Sequence, residues 1–161
     1  MIRRATLLDI PFIADIDRHS FSGNKPNGVA EKWIATNFAR GDQYQYFVFE
    51  KDQKIVGFIG WEIKNGFARE VPVFELEKLA VSSDFRGQGI ATSLMSQTFL
   101  TIKDWVHEYS PEATEFKIFA WALKNNEKAI QMYKKLFNDE IQGERSIFSI
   151  DEILLRGSYT I

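Results

Sequence analysis

Apolar residues recur along this chain with two periods, and the places where the period changes mark the elements. Ile2 to Thr6 reads as a short opening strand. Asp9 has the chemistry of a helix N-cap, with Pro11 in the first turn and Phe12, Ile13 and Ile16 at helical spacing. Phe21 to Gly28 is loop by composition, and a second short helix follows, with Val29, Trp33, Ile34 and Phe38 on one side and Gly41 past its end. From Tyr44 the period falls to two. Tyr46–Phe49 and Ile55–Trp61 form a predicted hairpin around the polar turn Lys51-Asp52-Gln53-Lys54. Val71 to Val81 is a third strand, and residues 82 to 89 make a glycine-bearing turn. The spacing then predicts a long helix over Ile90–Tyr109, a strand over Phe116–Trp121 and a helix over Asn126–Leu136. Two closing strands are predicted over Ile141–Ile150 and Ile153–Thr160. Strands before, between and after helices imply a mixed α/β sheet flanked by helices, not a bundle or a sandwich.

Composition narrows the class. At 161 residues and 45% apolar content the chain suits one domain spanning residues 1–161, large enough to hold its own core without staples. There is no cysteine, which excludes a disulfide framework, a thiolate metal site and a Cys nucleophile, and fits a reducing compartment. With 20 basic and 22 acidic residues and no basic block, nucleic acid is not an expected partner. Asp9, Asp15 and Asp17 interrupt any signal-peptide core, and no apolar run approaches the length of a membrane span. A soluble cytoplasmic protein with no membrane role is expected. His19 and His107 are the only histidines, too few for a metal centre, so no metal is expected.

The segment that carries chemistry is Leu79-Ala80-Val81-Ser82-Ser83-Asp84-Phe85-Arg86-Gly87-Gln88-Gly89-Ile90-Ala91-Thr92. It reads as strand, tight turn and helix start. Glycines let a backbone turn sharply and approach a ligand, and the first helical N–H groups face outward beside the positive dipole end. That is a phosphate cradle, but not a Walker loop, and Thr92 stands where a dinucleotide fingerprint needs its third Gly.

Arg86-x-x-Gly89-x-Ala91 resembles the pyrophosphate-binding signature of the GNAT superfamily of acyl-CoA-dependent N-acetyltransferases. Asn126-x-x-Ala129-Ile130-x-Met132-Tyr133-x-x-Leu136 is similar to that family's second cofactor segment. The likeness covers residues 71 to 137 well and the first 65 only in pattern. It implies a partly splayed GNAT sheet and acetyl-CoA as co-substrate. By the same likeness, Arg86, Gly87, Gln88, Gly89, Ile90, Ala91 and Thr92 receive the pyrophosphate, and the backbone of Leu79, Ala80 and Val81 pairs with the pantetheine arm. Asn126 contacts the cofactor while capping its helix. The acceptor would be a primary amine of a small molecule or a protein, with His19 and Phe21 on its side of the site, and homodimers are frequent in the family. Where the family continues into Leu-Gly-Phe, this chain has Leu136-Phe137-Asn138, which removes an easy left-handed helix cap and leaves Asn138 as the residue suited to supply it.

Roles follow from the same resemblance. Tyr133 becomes the general acid that protonates departing coenzyme A, a phenol of pKa near 10 facing an alkyl thiolate of similar basicity. The alternative is a packed helix Tyr. Glu75 matches the position of the general base in the histone-acetylating branch. Glu77 lies two residues on along the strand, their Cα atoms roughly 7 Å apart. Burial would raise such a carboxyl toward a useful basicity, whereas a solvated face with Lys78 as counter-ion is the plain reading. A water relay is the third option. Trp33, Trp61, Trp105 and Trp121 read as core or groove wall. Two rivals keep the turn without the chemistry, a non-catalytic acyl-CoA sensor and a nucleotide-binding module.

Overall fold

The computed structural model describes residues 1–22, 26, 28–64, 70–137, 139–147 and 150–161, with 22, 139–147, 150 and 151 described as backbone alone. The described elements are β1 (Ile2–Arg4), α1 (Ile10–Asp17), α2 (Val29–Phe38), β2 (Tyr44–Lys51), β3 (Lys54–Ile63), β4 (Val73–Val81), α3 (Ile90–Tyr109), β5 (Glu115–Leu123), α4 (Glu127–Leu136), β6 (Asp139–Ile147) and β7 (Ile150–Thr160). The strands line up in the order β1-β2-β3-β4-β5-β7-β6. β1 runs antiparallel to β2, with Arg3 opposite Val48, and β7 runs antiparallel to both β5 and β6. β4 and β5 are parallel over Val73–Leu76 and Lys117–Ala120, although β4 continues to Val81 and β5 to Leu123. The result is the mixed, partly splayed α/β sheet with flanking helices that the sequence implies.

The chain divides into two compact units, Met1–Trp61 with Lys78–Thr98, and Glu62–Glu77 with Phe99–Ile161. In the first, Tyr44, Tyr46 and Val48 of β2, Phe58 of β3 and Ala80 of β4 pack against Ile13, Ala14 and Ile16 of α1 and Ile34 of α2. Gly60 is required there, because a Cβ would crowd the Tyr44 hydroxyl and the Tyr46 ring at 2.8 and 2.9 Å. The hairpin turn holds Asp52 and Gln53 at φ of 50° and 61°, the left-handed pair that a two-residue turn needs to match strand twist. In the second unit, Phe74 of β4 packs on Trp105 of α3 and edge-on to Phe116 of β5. Phe99 and Phe116 both contact the Tyr159 ring, so an aromatic cluster ties β4, α3, β5 and β7 together in this core.

Two local expectations are corrected. Val29 and Trp33 do not face the core; both are about half exposed, and Ile34 and Asn37 are the buried positions of α2. The Val29–Trp33 stripe lies one residue, about 100°, around the helix from Ala30–Ile34. Asp9 does not cap α1. It has helical backbone angles and makes no cap bond, because its carboxylate takes two bonds from the Arg3 guanidinium at 2.7 and 2.9 Å. It also accepts from the Thr6 amide and hydroxyl, at 2.8 and 3.0 Å. A bidentate charged pair is stronger than a single helix N–H bond, and this one ties β1 to the entry of α1.

The Arg3 bonds outweigh the cost of burial and hold the Asp9 carboxyl at a pKa of about 2, below the ordinary value. A depressed folded-state pKa stabilises above the unfolded value and is lost as pH falls through the folded one, so this contribution should fade between about pH 4 and pH 2. Asp9→Asn is expected to lose roughly 2 kcal/mol at neutral pH and to flatten the stability profile across that window. Urea midpoints measured from pH 2 to pH 7 check both effects.

Candidate active site

After β4 the chain passes through a short 3-10 turn, Ser83–Phe85, and then Gly87 and Gly89, whose φ values of 78° and 76° lie in the left-handed region. An L side chain there costs about 1–2 kcal/mol. A Cβ at either glycine would meet no protein atom within 4 Å, so the backbone is open for a ligand to approach. The first helical bond runs from the Ser93 amide to the Gly89 carbonyl, at 2.9 Å. The amides of Ile90, Ala91 and Thr92 therefore precede the helix's own ladder, at the end of α3 that favours anions. Beneath them the start of α3 sits close to β3: a Cβ on Gly57 would stand 3.2 Å from both the Ala80 carbonyl oxygen and Ile90 Cγ2.

Side chains brace this turn. Arg86 Nε donates to the Val81 carbonyl at 2.9 Å, which closes the turn on the end of β4. Gln88 accepts from Lys51 Nζ at 2.9 Å, and the same ammonium lies 5.6 Å over the Phe85 ring. Lys51 thus brings a cation from the end of β2 to the glycine turn. Its place in a hairpin was its only mark in the sequence. Leu79 is half-buried, while Ala80 and Val81 are buried.

On β4, Glu75 and Glu77 are half-buried and alternate with the buried Phe74 and Leu76. Glu75 is not held by apolar neighbours alone. Its Oε2 is 2.9 Å from Lys64 Nζ, which also lies 3.1 Å from Glu62 Oε2. Burial by itself would lower the Lys64 pKa, but the hydrogen bonds to Glu75 and Glu62 prevail and raise it. Lys78 is not the counter-ion of these glutamates. It binds Asp17 at 2.7 Å, with Asp17 almost fully buried, and sits 5.7 Å from the Phe21 ring centroid. Glu75 and Lys78 are three positions apart and so point to opposite faces of the strand, and the ammonium beside Glu75 comes from another segment of the chain.

Helix α4 is fixed at both ends. The Asn126 side chain accepts from the Ala129 amide at 3.2 Å, a true N-cap. Tyr133, two turns on, is buried, with its ring 5.7 Å from that of Phe137. Burial pushes its phenol up to about 12, so it is protonated at neutral pH. At the C-terminus Phe137 is extended rather than left-handed, and the Tyr159 hydroxyl donates to the Leu136 carbonyl at 2.5 Å. The suggested role of Asn138 lies outside the described residues.

His19 Nδ1 is 2.7 Å from the Asp15 carbonyl oxygen, in an exposed turn, and Phe21 is half exposed. Trp61 and Trp105 are buried, and Trp61 Nε1 donates to Thr98 Oγ1 at 2.9 Å. Among the described residues no three His, Asp or Glu side chains gather as a metal site, and no helix is long and apolar enough to cross a membrane.

Residues 10–138 match the family model described as Acetyltransferase (GNAT) family. The chain belongs to the GNAT acetyltransferase family. It is 30% identical over 112 residues to the uncharacterized N-acetyltransferase MJ1207 of Methanocaldococcus jannaschii, covering 68% of this chain and 45% of that one, so it spans less than half of that relative. It is 26% identical over 157 residues to an N-alpha-acetyltransferase of Sulfurisphaera tokodaii, covering 94% and 87%. The fold is shared with Arabidopsis thaliana Naa50 in complex with the bisubstrate analogue CoA-Ac-MVNAL, at a TM-score of 0.71, 18% identity and coverage of 99% and 98%.

Within this GNAT chain, the segment Leu79–Thr92 lies in the first compact unit, and Glu75, Glu77, Asn126 and Tyr133 lie in the second. Lys64 and Tyr159 join the residues that sequence spacing does not reveal, since each acts on a partner far along the chain. Tyr159→Phe should remove the bond to the last turn of α4 and destabilise by about 1 kcal/mol. Faster hydrogen exchange at the Phe137 amide, which bonds the Tyr133 carbonyl at 2.8 Å, would report the fraying.

Proposed function

We propose that this chain is an N-acetyltransferase that moves the acetyl group of acetyl-CoA directly to a primary amine, with the α-amine of a protein N-terminus as acceptor. One observation carries the reading: the turn at Gly87 and Gly89, open above its backbone and leading into the amides of Ile90, Ala91 and Thr92, has the form of an anion cradle. The acceptor follows from the name of the Sulfurisphaera relative and from the peptide-bearing analogue bound to Naa50. Residues 1–161 are taken as one such domain.

Acetyl-CoA, when bound, supplies the activated thioester. The segment Arg86-Gly87-Gln88-Gly89-Ile90-Ala91-Thr92 receives the pyrophosphate, and Lys51 adds its charge. The backbone of Leu79, Ala80 and Val81 holds the pantetheine arm, and Asn126 contacts the cofactor from the start of α4. Tyr133 gives its proton to the departing sulfur. Glu75 removes the proton from the acceptor ammonium, with Glu77 or a water as the alternatives, because an ammonium has no lone pair to attack with. The chain has no cysteine to carry an acetyl group, which favours direct transfer over a covalent relay.

The cofactor reading is tested by thermal unfolding. At 100 times its dissociation constant acetyl-CoA should stabilise the native chain by about 2.7 kcal/mol. Gly89→Val should start about 1–2 kcal/mol lower, because its φ is strained, and gain nothing from acetyl-CoA. Normal stabilisation of that variant by acetyl-CoA would place the anion site elsewhere.

Tyr133→Phe tests the acid. The change keeps the ring and its packing on Phe137, so acetyl-CoA affinity should hold. Turnover should fall by about 100-fold, the low end for general-acid catalysis, since water replaces part of the function. Turnover and affinity are measured on the same purified variant, and full turnover would make Tyr133 structural.

A further inference from the structure

The backbone places Glu62 and Glu75 against each other. β3 and β4 are neighbours, and the Lys64 amide donates to the Val73 carbonyl at 2.8 Å while the Ser82 amide donates to the Val56 carbonyl at 2.9 Å. The two strands therefore run antiparallel and, two steps on from Lys64 and Val73, Glu62 and Glu75 face each other. Like charges directly opposite are destabilising, and both side chains are largely covered, at 12% and 15% exposure. The Lys64 ammonium bridges them, at 3.1 and 2.9 Å. An apolar pair of similar volume would hold two strands together at least as well as a partly buried ionic trio. The arrangement therefore serves the carboxylate more than the sheet.

We propose that Lys64 is a positioning residue for Glu75: anchored on Glu62, its ammonium fixes Oε2 of Glu75 and leaves Oε1 to take the proton from the acceptor ammonium. The inference rests on Glu75 being the base. In the step, one N–H bond of the acceptor ammonium breaks and its proton goes to Glu75 Oε1. The freed lone pair forms the new C–N bond as the thioester C–S bond breaks, the sulfur takes the Tyr133 proton, and a second N–H proton leaves the new amide nitrogen to water and restores the phenol. Lys64 stays protonated throughout and exchanges nothing. Glu62 does not touch the substrate; it stops the Lys64 side chain from following Glu75 through its rotamers. A lysine is suited to this, since its three donors can bridge two carboxylates while its stem lies along the strand.

The test measures thiol release from acetyl-CoA with amine acceptors that include the peptide MVNAL. Lys64→Met should lower kcat roughly tenfold with acetyl-CoA affinity unchanged, because Glu75 is no longer held in one rotamer. Lys64→Arg, which also bridges two carboxylates, should restore most of the loss. In a Glu75→Gln background, Lys64→Met should cost nothing further, the non-additivity expected of residues that act as a unit. Should Lys64→Met fold poorly, Glu62→Gln/Lys64→Met leaves one buried carboxylate instead of two and should show the same drop in kcat.

The outcomes separate the two readings. If the native chain releases no thiol with any acceptor, or Glu75→Gln is fully active, the base reading falls and takes this inference with it. If Glu75→Gln is impaired while Lys64→Met keeps its kcat, the base stands and Lys64 is only structural. Failure of Lys64→Arg to rescue, or additive losses in the double variant, would also overturn the positioning role.

Discussion

A charge placed on a central strand must be answered by an opposite charge from another element, and β4 carries three charged residues in the four positions from Glu75 to Lys78. Two of the answers are visible. Lys64, just past the end of β3, meets Glu75, and Asp17, the last residue of α1, meets Lys78. Each pairing dictates where another element stops. β3 must deliver its lysine in register with Glu75, which the bond between the Lys64 amide and Val73 secures. Helix α1 must end with its carboxylate inward, where Asp17 is nearly inaccessible. Breaking such a pair is costly even where forming it adds little, so these contacts select one arrangement among several compact ones.

Beyond the strand, the helices are organised by their ends. α3 starts with amides that no internal carbonyl can reach, next to two glycines that only this backbone conformation requires. α4 shows the opposite economy: Asn126 caps its start and the Tyr159 hydroxyl closes its last turn. Gly157 makes the second contact feasible, because a Cβ there would overlap the Tyr159 hydroxyl. An end left with unused donors is one that can receive an anion; an end satisfied from both sides is one that can hold a side chain still. The first kind of end agrees with the binding role proposed for the glycine turn, and the second with the proton-donor role proposed for Tyr133.

The contrast explains what the sequence discloses. Period and punctuation locate α3 to the residue and find each strand among the described residues, because they are written in consecutive positions. The glycine turn is legible for the same reason: Gly87, Gly89 and the helix start lie within a few residues. Counter-ions are not. Lys64 reaches Glu75, Lys51 reaches Gln88 and Tyr159 reaches Leu136 only once the strands are paired. Asp9 fails as a cap for a related reason, since propensity names Asp as a cap but cannot know that Arg3 is within reach. Trp33 shows the limit of periodicity, where a one-residue error in phase turns a core face into an exposed one.

Tyr133 shows where burial changes the chemistry inferred from residue type. A free phenol matches an alkyl thiolate in basicity, but desolvation moves this one up to about 12. Taken alone, the shift makes it a weaker acid. In the proposed reaction a thiolate released beside this buried phenol would be desolvated too, since burial disfavours any anion, sulfur as well as oxygen. The match that governs proton transfer is between the two groups in the same surroundings, so a rise shared by both preserves it. The shift also keeps the proton on Tyr133 across the whole neutral range, as the proposed donor role requires. In the proposed roles, burial keeps the proton on Tyr133, while the Lys64 ammonium holds Glu75.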